Sequence, residues 1–141
     1  MKNILIFKSS ADETVHRLLA ELQNENVFCL IQSDGYERFR QRYSKVHFID
    51  IQKEGFYDLP TEVTDRMIEK RYDELYITFS GLTAHNYGNV LELAAQCSFE
   101  AAYFYNCKGE RIRIPAHHPL KEWMIRGYIR LVEIIYRKGK G

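Results

Sequence analysis

Residues 72–97, YDELYITFSGLTAHNYGNVLELAAQC, decide the fold. Leu75 to Phe79 is an apolar run with the β-branched or aromatic members Tyr76, Ile77 and Phe79, which reads as a buried strand. Val90 to Cys97 is apolar at helical spacing. The intervening SGLTAHNYGN is polar and contains glycine, so it turns the strand into the helix at the carboxyl edge of a sheet. Ligands of open α/β sheets bind along that edge. Ser80, Thr83, His85, Asn86 and Tyr87 gather hydroxyl, imidazole and amide groups there, ahead of a helix whose free amides accept phosphate. An equally good plain reading has Thr83 or Asn86 capping the helix and His85 in water.

The same unit repeats outward. Upstream, Asn3 to Phe7 is a strand, and Val15, Leu18, Leu19 and Leu22 form a helical stripe. Val27 to Ile31 is the second strand, followed by a short helix carrying Tyr36, Phe39 and Tyr43 inward. Val46 to Ile51 is the third. Pro60 opens a helix that turns Val63, Met67 and Ile68 to the sheet. Downstream, Ala101 to Asn106 is the fifth strand, with a turn at Lys108-Gly109, a short return strand, and a long helix over residues 119–138.

Strands alternating with helices predict a three-layer, Rossmann-like α/β domain. Its parallel five-stranded sheet has the order 3-2-1-4-5, with a short extra strand and a long C-terminal helix. The flavodoxin-like order 2-1-3-4-5 is the alternative. No repeat or composition shift divides the chain, so residues 1–141 read as one domain.

Composition narrows the function classes. Twenty basic and 19 acidic residues give a net charge of +1, which supplies no general drive towards nucleic acid. From Lys121 onward six Lys or Arg stand against two Glu, so the tail carries the positive charge. Three cysteines without a CxxC pair suit reduced thiols and a cytoplasmic chain. MKNILIF is too short an apolar run for a signal peptide, and no run of about twenty apolar residues crosses a bilayer. GxGxxG, GxxxxGK[ST] and GxSxG are all missing, which argues against a dinucleotide enzyme, a P-loop NTPase and a common hydrolase. Adjacent His117 and His118 lack an acidic or cysteine partner at ligand spacing, so neither metal nor cofactor is expected. Lys8 with Arg38, Arg40 and Arg42 could hold a phosphate, although arginines on a solvated helix face are commoner.

Strand 1 with its KSSADE loop, strand 2 ending QSDGYERF, the KVHFIDI strand and RYDELYITFSGL together make a pattern. It resembles the amino-terminal half of the heptosyltransferase-like glycosyltransferases, through Ser9, Ser10, Gly35, Tyr36, Arg71, Tyr72 and Asp73. The resemblance spans roughly residues 1–114. It implies one Rossmann-like half, on the acceptor side of an enzyme of bacterial surface polysaccharide synthesis. Asp12 stands where that family has a loop glycine, and Glu13 where it has the catalytic aspartate. The family's nucleotide-sugar half is not in this sequence, so the resemblance implies acceptor binding without turnover unless a partner chain completes the site.

Glu13 or Asp12 is then the candidate base for an acceptor hydroxyl. The competing reading of Glu13 is a capping box with Ser10. Ser9, Ser10 and the strand-4 turn are the expected contacts of a sugar or phosphate-bearing ligand. The last helix carries a wide apolar stripe, with Leu120, Trp123, Met124, Tyr128, Leu131, Val132 and Ile135 at its centre and a basic rim. It fits its own sheet, a homodimer partner, or the anionic inner face of the membrane. Two alternatives stand beside the transferase reading: a non-catalytic dimerisation module, and a small nucleotide- or flavin-binding protein of flavodoxin-like order.

Overall fold

A computed structural model describes residues 1–79 and 87–114. In chain order these form β1 (Asn3–Phe7), α1 (Asp12–Glu21), β2 (Asn26–Ile31), α2 (Ser33–Arg42), β3 (His47–Asp50) and α3 (Thr61–Ile68). They continue as β4 (Arg71–Thr78), α4 (Tyr87–Ala95), β5 (Ser98–Tyr105) and β6 (Arg111–Ile114). The six strands make one sheet in the order β3-β2-β1-β4-β5-β6. All pairs are parallel except β5 with β6, which is antiparallel. The first five strands thus have the predicted order, consistent with a Rossmann-like domain, and the flavodoxin-like order is not the one found. The expected helix over residues 119–138 and the pair His117 and His118 lie outside the described residues.

Hydrophobic pattern explains the layering. β1 is central, between β2 and β4, and Ile4, Leu5, Ile6 and Phe7 are all fully buried. A strand covered on both faces reads as a continuous apolar run. Ile4 and Ile6 join Val15, Leu18 and Leu19 of α1 and Phe39 of α2 in one core. Leu5 and Phe7 join Val63 and Met67 of α3 and Val90, Leu91 and Ala94 of α4 in the other. Each such side chain contributes roughly 1.5–3 kcal/mol by leaving water. Ile68, expected to face the sheet, is instead 39% exposed, because it closes the last turn of α3 beyond the sheet-facing positions Val63 and Met67.

β6 is joined to α1 by one side chain. Arg111 lies over the rings of Tyr76 and Tyr105, at 5.4 and 5.2 Å, and donates to Glu21 Oε2 at 2.7 Å and Tyr76 Oη at 3.3 Å. The turn before it forms at the predicted place. Gly109 has φ of 80°, the left-handed region that glycine enters without cost, and Asn106 Oδ1 accepts from the amides of Lys108 and Glu110.

Candidate functional site

In the order found, α1 after β1 and α4 after β4 pack on opposite faces of the sheet, the arrangement that makes the carboxyl ends of these two strands the usual ligand edge of such folds. The expected contacts Ser80, Thr83, His85 and Asn86 lie outside the described residues. Tyr87 begins α4, and its side chain is not described. The β1 side of that edge is described in full.

Ser9 closes the floor. Its amide donates to Thr78 Oγ1 at 3.1 Å, its hydroxyl donates to the Thr78 carbonyl, and Thr78 Oγ1 donates to the Phe7 carbonyl at 3.0 Å. The hydroxyl proton of Ser9 is therefore spent on joining β1 to β4. Ser10 Oγ donates to the Ala11 carbonyl at 3.3 Å. The N-cap of α1 is Ala11 and no side chain caps it, so the predicted capping box of Ser10 with Glu13 does not form. Helix α1 starts one residue after Ala11, which leaves Ser10 one position too early to reach the first-turn amides.

Lys8 organises what lies beside this floor. Its amide donates to the Leu30 carbonyl at 3.0 Å, continuing the β1–β2 pairing, and the residue is only 8% exposed. A buried ammonium requires acceptors. Lys8 Nζ has two, Asp12 Oδ1 at 3.0 Å and the Ser10 carbonyl at 3.1 Å. From α2, Arg38 Nη2 reaches the other oxygen of Asp12 at 2.7 Å, and Nη1 donates to the Asp34 carbonyl at 3.2 Å. Both cations also lie over the Phe39 ring, at 5.8 and 5.7 Å. Burial, the largest single influence on the Asp12 carboxyl, would raise its pKa. The hydrogen bonds and charges of Lys8 and Arg38 together outweigh it and hold the group below its ordinary value. Asp12 is thus an anion at neutral pH and a weak proton acceptor. Its neighbour Glu13 is exposed and makes no ion pair among the described residues.

A cleft of about 560 Å³ opens from Lys8 across the carboxyl ends of β2 and β3, lined further by Gln32, Ser33, Asp34, Gln52, Lys53 and Glu54. Gln32 donates to the Lys8 carbonyl at 2.9 Å. Asp50 Oδ1 accepts from Ser33 Oγ at 2.6 Å and from the Gln52 amide at 2.8 Å, tying the loop after β3 to the start of α2. Gln52 has φ of 62°, a left-handed conformation that costs a non-glycine residue about 1 kcal/mol and that the bond to Asp50 holds in place.

The fold therefore brings together Ser9, Ser10, Asp12 and Glu13 at one edge and adds residues that the sequence did not single out. Gln32, Ser33, Asp34, Gln52, Lys53 and Glu54 each follow a predicted strand, which was the available signal. Of the basic candidates, Lys8 and Arg38 converge on Asp12. Arg40 pairs with Glu37 at 2.9 Å and stands apart. Among the described residues no group of three or more His, Cys, Asp or Glu is placed to hold a metal, and no helix is long and apolar enough to cross a membrane. No protein-family model matches the chain, and no curated protein matches it.

Proposed function

We propose that this chain is a Rossmann-like domain related to glycosyltransferases of bacterial surface polysaccharide synthesis, binding a sugar or phosphate-bearing ligand at the carboxyl edge of its sheet. The observation that carries the reading is the polar assembly around Lys8: a buried ammonium, an ion-paired carboxylate and an open cleft at the edge where α/β sheets take ligands. The resemblance around Ser9, Ser10, Gly35 and Tyr36 supplies the ligand class. Glu13, exposed and unpaired among the described residues, suits the role of base better than Asp12, whose basicity two cations reduce. The role proposed for these residues is acceptor-side binding, with turnover only where a second domain or a partner chain supplies a nucleotide-sugar site.

A thermal-shift screen against nucleotide-sugars, nucleotides, sugar phosphates and free sugars tests this. A ligand at a hundred times its dissociation constant stabilises by about 2.7 kcal/mol, which is several degrees for a chain of this size. A shift confined to sugar-bearing compounds, without turnover when a nucleotide-sugar and an acceptor are added together, supports the reading. A flat screen removes it.

A further inference from the structure

Lys8 and Arg38 form an arrangement suited to an anion, and the chain itself supplies that anion. Two cations converge from different helix-linked segments, one of them nearly buried, and each takes one oxygen of the same carboxylate, at 3.0 and 2.7 Å. Phosphate is held by the same kind of charge-assisted contact. With Asp12 in place, the positive charge of Lys8 is already matched. Taken together, Lys8, Arg38 and Lys53 stand against Asp12, Asp34 and Glu54, a net charge of zero that offers a phosphate no attraction. Hydrogen-bonding capacity does remain. An ammonium has three donors and Lys8 spends two. Gln32 spends its amide N–H on the Lys8 carbonyl and keeps its oxygen, while Asp34 and Glu54 accept. Donors and acceptors side by side without net positive charge suit hydroxyl groups, each of which both donates and accepts.

We infer that Asp12 occupies, from within the chain, the place between Lys8 and Arg38 that a phosphate would take, so that the cleft admits an uncharged, hydroxyl-rich group such as a sugar ring and excludes phosphate. This rests on the carboxyl edge being the ligand site and narrows what it takes. Asp12 here is a specificity-determining residue. It acts by filling a site, not by touching the reacting atoms.

The test titrates inorganic phosphate into the ¹⁵N-labelled chain and follows the amides of Ser9, Ser33, Asp34 and Gln52. The wild type shows no saturable change at millimolar phosphate. Asp12→Asn frees both cations and gains saturable binding, at least about tenfold tighter than any residual wild-type binding. The double variant Asp12→Asn with Lys8→Met loses it again. Asp12→Ser, read in the same way, guards against a specific effect of the asparagine amide. Saturable phosphate binding by the wild type at these amides overturns the inference, and so does a folded Asp12→Asn or Asp12→Ser chain that gains none. The sugar screen bears on the proposed function and this titration on Asp12, so the two fail separately.

Discussion

Asp12 Oδ2 lies 2.7 Å from Nη2 of Arg38, and this contact ties the first turn of α1 to the middle of α2 beside Lys8, which lines the cleft. Its dependence on acid follows from the direction of the Asp12 shift. The folded pKa is below the ordinary value of 3.8, so the unfolded chain takes up the proton first as the pH falls. The stability gained from the ion pairs is present above the ordinary value and is lost as the pH drops through the lowered folded value. Urea unfolding between about pH 6 and pH 2.5 should show a loss below about pH 4 that Asp12→Asn reduces. An Asp12→Asn chain with the wild-type slope would show that Asp12 is not held as described.

His16 responds in a higher window. Its Nδ1 lies 2.5 Å from Tyr43 Oη, and its ring stacks on Phe39 with centroids 4.7 Å apart. Burial depresses its pKa, and the charge of Arg42 adds to the effect, against raising contributions from Asp12 and Glu13. The unfolded chain therefore protonates first, and stability falls as the pH drops below the ordinary 6.5 towards the folded value. His16→Phe keeps a stacked ring and should remove that slope. In the wild type, the His16 ring proton signals should titrate below 6.5; a midpoint at or above that value would contradict the burial described.

Arg111 serves two partners at once, and that sets its substitution pattern. Arg111→Met removes the bonds to Glu21 and Tyr76 and should cost about 1–2 kcal/mol. Arg111→Lys should restore little, because a compact ammonium cannot reproduce a planar fork lying over two tyrosine rings. A lysine variant as stable as the wild type in urea would show that the guanidinium shape is irrelevant.

Gly109→Ala places a methyl group on a residue with φ of 80°, where the new Cβ would stand 3.1 Å from Arg17 Nε. Arg17 there donates to the Cys107 carbonyl at 2.9 Å, so the clash also loosens a link between α1 and the β5–β6 turn. The expected cost is about 1–2 kcal/mol by equilibrium unfolding. No measurable change would mean that the turn accommodates a side chain by reshaping.

The turn at Lys108-Gly109 was legible from sequence because glycine punctuates locally, and the alternation of strands with crossovers from the apolar runs, whereas those runs do not separate the order 3-2-1-4-5 from 2-1-3-4-5. β4 starts four residues before the predicted apolar run: Arg71, Asp73 and Glu74 are charged, yet the strand begins at Arg71, and Tyr72 is fully buried with its hydroxyl donating to the Met67 carbonyl. The capping box failed for a similar reason, since a one-residue difference in where a helix starts is below what spacing can tell. The sequence offers Lys8 and Arg38 together as possible phosphate ligands, and Asp12 separately as a possible base. Their meeting was not readable, because Arg38 lies 26 positions from Asp12 and only the packing of α1 beside α2 makes them neighbours.

On the function proposed, this chain takes its ligand at the carboxyl edge around Lys8. Mapping amide shifts in the ¹⁵N-labelled protein with the best sugar-bearing compound from the thermal screen tests it most directly. Shifts should cluster at residues 8–13, 32–34 and 52–54 and be lost in Lys8→Met while the fold is retained. Saturable shifts confined to the opposite edge, or binding that Lys8→Met leaves unchanged, would contradict it.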